Sequence, residues 1–321
     1  MTNLKILNFK KCFFWTFVIG ILLVISNLAL VIPAYAQDIS LSITPPLLEL
    51  MIQPGKETSQ RYILTNNGAE TPLKIKIVPF SPADEYGNVK LEDISLYTAI
   101  NISNWFKIGG RPVNENQKLF LPRGGNQDII LNISPPEHAP EGDYYLTLLF
   151  ETNSSALLGG HGATSNAQIG SNILLTVSKS GNPTKSAEIV KFQAPKLVDS
   201  LGKINYSIKI KNTGNAFFKP TGSIDVSSLF GSNETLNLAP QNILASSIRE
   251  IPCTKDEQLV KCTLSKNIHI GIYNARLKFS LDDGKDFYEA QAITIAFPFS
   301  ITASFLICIL LIKIIFKKLK K

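Results

Sequence analysis

An all-β protein, two tandem sandwiches between an N-terminal export signal and one C-terminal membrane helix, is the fold class this sequence predicts. Three observations predict it. Both ends carry long apolar runs flanked by lysine. Between them, short runs rich in β-branched residues recur, punctuated by Gly, Pro and Asn. A strand pattern late in the first half of that middle region returns late in the second half.

The N-terminal element, residues 1–36, reads as a secretory signal. Lys5, Lys10 and Lys11 precede an apolar run from Cys12 to Ile32, and Ala34-Tyr35-Ala36 supplies small residues for cleavage before Gln37. The C-terminal element, 295–316, reads as a transmembrane helix. About 20 apolar residues rising about 1.5 Å each cross a bilayer core of about 30 Å. Lys313 lies within a turn of its end and can snorkel. The tail 317–321 is lysine-rich, which the positive-inside rule places in the cytoplasm. This makes a single-pass plasma-membrane protein with its middle region outside the cytoplasm, at the cell surface or in the periplasm.

Charge supports that layout. The 321 residues carry 32 Lys and Arg against 25 Asp and Glu, net +7. Eight of the basic residues lie in the two ends, leaving 24 basic against 25 acidic between them. No basic footprint remains for nucleic acid. Of the four cysteines, Cys12 and Cys308 fall in the apolar ends, and Cys253 and Cys262 flank a polar octapeptide. In an oxidising compartment this pair is expected to form a local disulfide.

Strand signals fill 37–179. Leu73-Lys74-Ile75-Lys76-Ile77-Val78 alternates with period two, Thr58 to Thr65 ends at Asn66-Asn67-Gly68, and Asp128 to Ile133 stops at Pro135-Pro136. A polar segment, 180–186, reads as a linker. The pattern restarts over 187–294, where Ile204 to Ile210 alternates and ends at Asn212-Thr213-Gly214. Gly142-x-Tyr144-x-x-x-Leu148-x-Phe150 returns as Gly271-x-Tyr273-x-x-x-Leu277-x-Phe279. Such a tyrosine buries its ring and bonds back to a loop in the corner of immunoglobulin-like sandwiches. Tyr144 and Tyr273 are therefore assigned as structural corners of two immunoglobulin-like domains.

Signal, two such domains, one span and a lysine tail resemble the WxL-interacting surface proteins of Gram-positive bacteria. The first domain carries the resemblance in Pro45-Pro46 with Leu47 and Leu50, Pro54-Gly55, Asn66-Asn67, Pro135, and Gly142-Asp143-Tyr144 with Phe150. The second domain matches less well. The resemblance implies peptidoglycan binding by the first domain and a surface partner for the second. It assigns no individual ligand-binding residue.

Catalytic signals are absent: no G-x-S-x-G, H-E-x-x-H or phosphate loop occurs, and the three histidines stand apart. No cofactor or metal is expected. The acids of Asp282-Asp283-Gly284-Lys285 and Asp84-Glu85-Tyr86-Gly87-Asn88 read as hairpin turns. The 152–171 loop, rich in Gly and Ser and carrying Leu157, Leu158 and His161, is the candidate partner-contact site. Trp105-Phe106 reads as a core anchor or a sugar platform. The expected role is non-catalytic binding or scaffolding at a bacterial surface, toward a protein or cell-wall polysaccharide. The alternative is a chaperone-like assembly factor acting by β-strand addition.

Overall fold

The computed structural model describes residues 40–93, 101–113, 118–152, 167–228, 233–265, 268–282, 284 and 286–319. The signal segment 1–36 lies outside them. The described residues form immunoglobulin-like β-sandwiches followed by one C-terminal helix.

In the first sandwich one sheet runs β1 (Leu41–Thr44), β3 (Thr58–Asn66), β9 (Asn126–Ile133), β6 (Phe106–Ile108), β7 (Arg111–Pro112). The other runs β2 (Leu47–Ile52), β11 (Gln168–Val177), β10 (Gly142–Thr152), β4 (Thr71–Pro82), β5 (Val89–Leu91), and β8 (Lys118–Leu121) pairs the opposite end of β4. The first strand changes sheets at Pro45-Pro46. β1 is antiparallel to β3, and β2 is parallel to β11. Two consecutive prolines donate no ladder hydrogen bonds, so pairing must break there.

The second sandwich repeats this plan. One sheet is β12 (Ala187–Gln193), β15 (Ser207–Asn212), β18 (Ile248–Glu250); the other is β13 (Leu197–Asp199), β23 (Phe287–Phe297), β22 (Gly271–Leu281), β16 (Pro220–Ser228), β17 (Glu234–Asn237). β13 is parallel to β23, as β2 is to β11. β10 and β22 occupy equivalent central places, and both carry the repeated pattern. Gly142 and Gly271 enter these strands at φ of 142° and 92°, which a side chain would oppose. Tyr144, Leu148, Phe150, Tyr273, Leu277 and Phe279 are all buried. The Tyr144 hydroxyl donates to Pro140 O at 2.8 Å. Tyr273 packs edge-on against His269 at 5.5 Å.

A second repeated device fastens each domain. Asn66 and Asn212 are fully buried. Asn66 Nδ2 donates to Ala69 O at 2.7 Å and Leu121 O at 3.3 Å, while Gly68 N–H donates to Asn66 Oδ1 at 3.0 Å. Asn212 does the same with Ala216 O and Ile243 O, each at 2.9 Å, and Gly214 N–H at 2.9 Å. Each amide ties together carbonyls of the irregular chain after the strand, some of which it shares with a second donor: Ala69 O also accepts from Thr71 Oγ1 at 2.7 Å, and Ile243 O from Phe218 N–H at 3.3 Å.

The two domain cores centre on Tyr62, Leu131, Leu146 and Phe150, and on Ile208, Phe218, Leu277 and Phe279. Cys253 and Cys262 are bonded, with sulfurs 2.06 Å apart, across the hairpin of β19 (Cys253–Lys255) and β20 (Gln258–Val260).

β23 runs to Phe297, beyond the domain end expected at 294. The helix α1 spans Phe299–Leu319, so its start is later than the expected 295. Period-two burial along β23 keeps the chain extended until Pro298. Pro298 O then accepts from Thr302 N–H at 2.9 Å to open the helix. Among the described residues α1 is the one helix long and apolar enough to cross a membrane, and none of it is buried.

Candidate functional site

Apolar residues on both parities of β10 and its neighbours build a contact between the domains. Phe80, Tyr145 and Leu174 point away from the first core and pack with Leu244, Phe217 and Ala245 of the second domain. The Phe80 and Tyr145 rings are 5.8 Å apart.

Polar groups lock this contact. Asp143 Oδ2 accepts from Tyr145 hydroxyl at 2.6 Å and from Phe217 N–H, across the interface, at 2.5 Å. Asp143 Oδ1 accepts from Thr176 Oγ1 at 2.6 Å. The Tyr145 hydroxyl itself accepts from Ala245 N–H at 2.7 Å, also across the interface. Burial pushes the Asp143 carboxyl above the usual aspartate range, against the pull of its three donors. Glu49 accepts from Lys219 Nζ at 2.6 Å and from Asn242 Nδ2 at 2.5 Å. The tip of the β4–β5 hairpin reaches the edge strand β18: Glu85 O accepts from Glu250 N–H at 2.6 Å, and its carboxylate pairs with Lys209. These contacts fix the two sandwiches against each other, so the polar segment 180–186 does not act as a free hinge.

Beside the lock lies a cleft of about 180 Å³. Leu47, Phe80, Val89, Leu174 and Leu244 make it apolar; Asp84, Asn172, Asn242 and Arg249 make it polar. Asp84 is held as the hairpin's turn residue, accepting from Tyr86 N–H at 2.9 Å and Asn88 Nδ2 at 2.6 Å, which keeps its carboxyl below the usual range. Gly87 is required there: its φ is 91°, and a Cβ would lie 2.1 Å from an Arg249 guanidinium nitrogen. Arg249 Nη1 donates to Asn242 O at 2.6 Å, and Nε is buried with no partner among the described residues. Burial lowers this guanidinium from its ordinary value, with Asp84 opposing. The cleft is smaller than a pocket for a drug-sized ligand. It accommodates one apolar side chain with a hydrogen-bond acceptor beside it.

Leu157, Leu158 and His161 fall outside the described residues. The base of their loop is closed by Thr152 N–H to Ala167 O at 3.0 Å. The register of β10 puts that base nine residues from Asp143, about 30 Å along the strand. Trp105 and Phe106 are core residues, Trp105 lying edge-on to Tyr144 at 5.0 Å, so they offer no sugar platform. His138 is exposed and His269 buried, and among the described residues no acid, histidine or cysteine cluster could hold a metal. Asp282 is a turn residue that binds Lys219 N–H at 2.9 Å and pairs with Lys185. The interface residues escaped the sequence reading. Their signal was the apolar character of β10 and β11 on both faces, with Tyr145 and Leu149 in the one and Leu174 in the other where a one-sided strand would place polar groups.

No protein-family model and no curated protein sequence matches this chain. Solved structures are similar in shape. One comes from work on a chaperone–tip adhesin complex in CFA/I fimbriae biogenesis. It matches at 15% identity and a TM-score of 0.41, covering 79% of this chain and 98% of that one. The E. coli chaperone DraB matches at 9% identity and 0.37, covering 79% and 99%. The Pseudomonas aeruginosa CupB2 chaperone matches at 6% and 0.34, covering 78% and 98%. The function proposed below rests on this chain's own residues.

Proposed function

We propose that this chain is a non-catalytic, membrane-held binding protein of a bacterial envelope, with both sandwiches outside the cytoplasm and a protein partner engaged at the cleft between them. One observation carries this reading: Arg249, with its buried and unpartnered Nε, stands beside an apolar cleft that only the locked pair of domains creates. A partner side chain entering the cleft gains apolar burial, and an acceptor next to it satisfies the guanidinium. The apolar α1 and the disulfide support a membrane-anchored, oxidising location. The layout shared with WxL-interacting surface proteins keeps cell-wall polysaccharide as a possible second ligand of the first domain.

A photo-crosslinking residue at Leu47, an exposed wall of the cleft, should trap a protein partner in intact cells. The same residue at Phe287, at the far end of β23, should not. Leu174→Trp, which fills the cleft, should abolish the adduct. Adducts of equal yield at both positions, or adducts that survive Leu174→Trp, would refute the cleft as the contact.

A second reading, β-strand addition, is favoured by the first domain's edge. β2 covers β11 only from Asn172 to Val177, and among the described residues no strand pairs that edge of Gln168 to Gly170. β2 itself is an edge strand bearing exposed Leu47 and Met51. Crosslinking from Gln168 and not from Leu47 would favour this mode.

A further inference from the structure

The outward face of the second domain's larger sheet changes character along its strands. At one end it is mixed: Lys278 and Glu289 face each other across β22 and β23, 3.6 Å apart, with exposed Phe287 capped by the Lys278 ammonium at 4.3 Å, followed by Arg276 opposite Gln291. At the other end the same alternation places Ile293, Ile295 and Phe297 outward, exposed by 61, 47 and 51%. Leu197 beside them, and Leu201 and Ile268 at the sheet's end, are equally exposed. A soluble sandwich has no reason to reverse polarity along one face of one strand.

The apolar end is the end from which α1 leaves. Only Pro298 separates β23 from the helix. Asp199, at the end of β13, accepts from Ser300 N–H at 2.8 Å and from Ser300 Oγ at 2.7 Å. β13 is itself paired to the last residues of β23, and Ser200 N–H donates to Phe297 O at 3.2 Å. The helix is thus fastened to the domain, with no spacer that would lift the apolar surface off a membrane. Lys196 and Lys203 flank this end and are exposed, where lipid phosphates would lie.

We infer that the second domain is seated in the lipid headgroup region, with Leu201, Ile268, Ile295 and Phe297 inserted into the leaflet on its own side. The occupant of this patch is lipid, because the surface is continuous with the span and rimmed by lysine. This rests on the reading that α1 crosses a bilayer.

The test uses the full chain with Cys12→Ser and Cys308→Ser, reconstituted in phosphatidylcholine vesicles. An environment-sensitive dye is placed on a cysteine at Leu201, Ile268, Phe305 or Phe287, all exposed positions whose replacement leaves packing intact. Shallow spin-labelled lipid should quench the dye at 201 and 268 several-fold more than at 287, and deep spin-labelled lipid should quench it at 305. Quenching at 305 with positions 201 and 268 as unquenched as 287 would overturn the seating and leave the span intact. Absence of quenching at 305 would overturn the span and the seating with it. A blue shift at 201 and 268 that follows protein density, without lipid quenching, would assign the patch to a second copy and overturn the inference.

Discussion

Replacing Asp143 by alanine removes the acceptor shared by Thr176, Tyr145 and the Phe217 amide. Hydrogen bonds to a charged group are each worth about 1.5–3 kcal/mol, but burial of this carboxylate offsets part of the sum. The Phe217 N–H is left without its acceptor, and Tyr145 loses the group that orients its hydroxyl toward Ala245. A net loss of about 2–4 kcal/mol follows, concentrated at the junction. At about 2–4 °C per kcal/mol for a unit of this size, the melting point should fall by roughly 5–15 °C. Scanning calorimetry of the detergent-solubilised protein should show one cooperative transition for the wild type and two for Asp143→Ala. Asp143→Asn keeps one oxygen toward Tyr145 and Phe217, and its amide can donate to the Thr176 hydroxyl, so it should stay within about 1 kcal/mol of wild type. The pH dependence has a definite sign. A carboxyl raised by burial contributes stability that is fully present below the ordinary aspartate value near 4 and is lost as pH rises through the raised value. The gap between wild type and Asp143→Ala should therefore widen as pH falls from 7 toward 4. A single unshifted transition for Asp143→Ala would refute the lock. A gap that widened with rising pH would show that the three donors outweigh burial.

Other substitutions test the repeated devices. Asn66→Ala and Asn212→Ala should each cost about 2–4 kcal/mol by removing the hydrogen bonds that one buried amide makes to two carbonyls and a glycine N–H; hydrogen exchange should rise around β3 for the first and around β15 for the second. Tyr144→Phe should cost about 1–2 kcal/mol through the Pro140 carbonyl, read as a lower melting point with unchanged circular dichroism. Cys253→Ser should cost about 3 kcal/mol, the value for closing a loop of about ten residues, and non-reducing mass spectrometry of the wild type should recover the linked peptides. Equal stability of reduced and oxidised protein would contradict that estimate.

The strands of both cores were legible because alternation and turn residues coincide. Leu73 to Val78 and Ile204 to Ile210 show period two, and each first sheet ends its strand at an Asn-x-Gly that the buried amide explains. The local disulfide was legible for the same reason, since its spacing lies within one hairpin. The junction was not. Tyr145 and Leu174 have the composition of core residues, and only the register of β10 and β11 reveals that they face the other domain. Asp84 to Asn88 reads as an ordinary turn, and nothing local shows that Glu85 reaches β18, more than 150 residues later. Position 295 reads as helix in the sequence because apolar residues suit a strand, a lipid-facing surface and a span alike; Pro298 marks the boundary.

The apolar contact of Phe80, Tyr145 and Leu174 with Leu244 has a consequence for biosynthesis. Synthesis delivers the chain N-terminus first, and the first sandwich is complete in sequence at Val177, well before Phe217 and Leu244 arrive. Throughout that interval the newborn first domain bears a bare aromatic patch and an unfilled acceptor at Asp143. The second domain is thus a delayed lid as well as a second sandwich. Truncation within it, or slow delivery of it, leaves a surface suited to sticking to another nascent copy or to a folding helper.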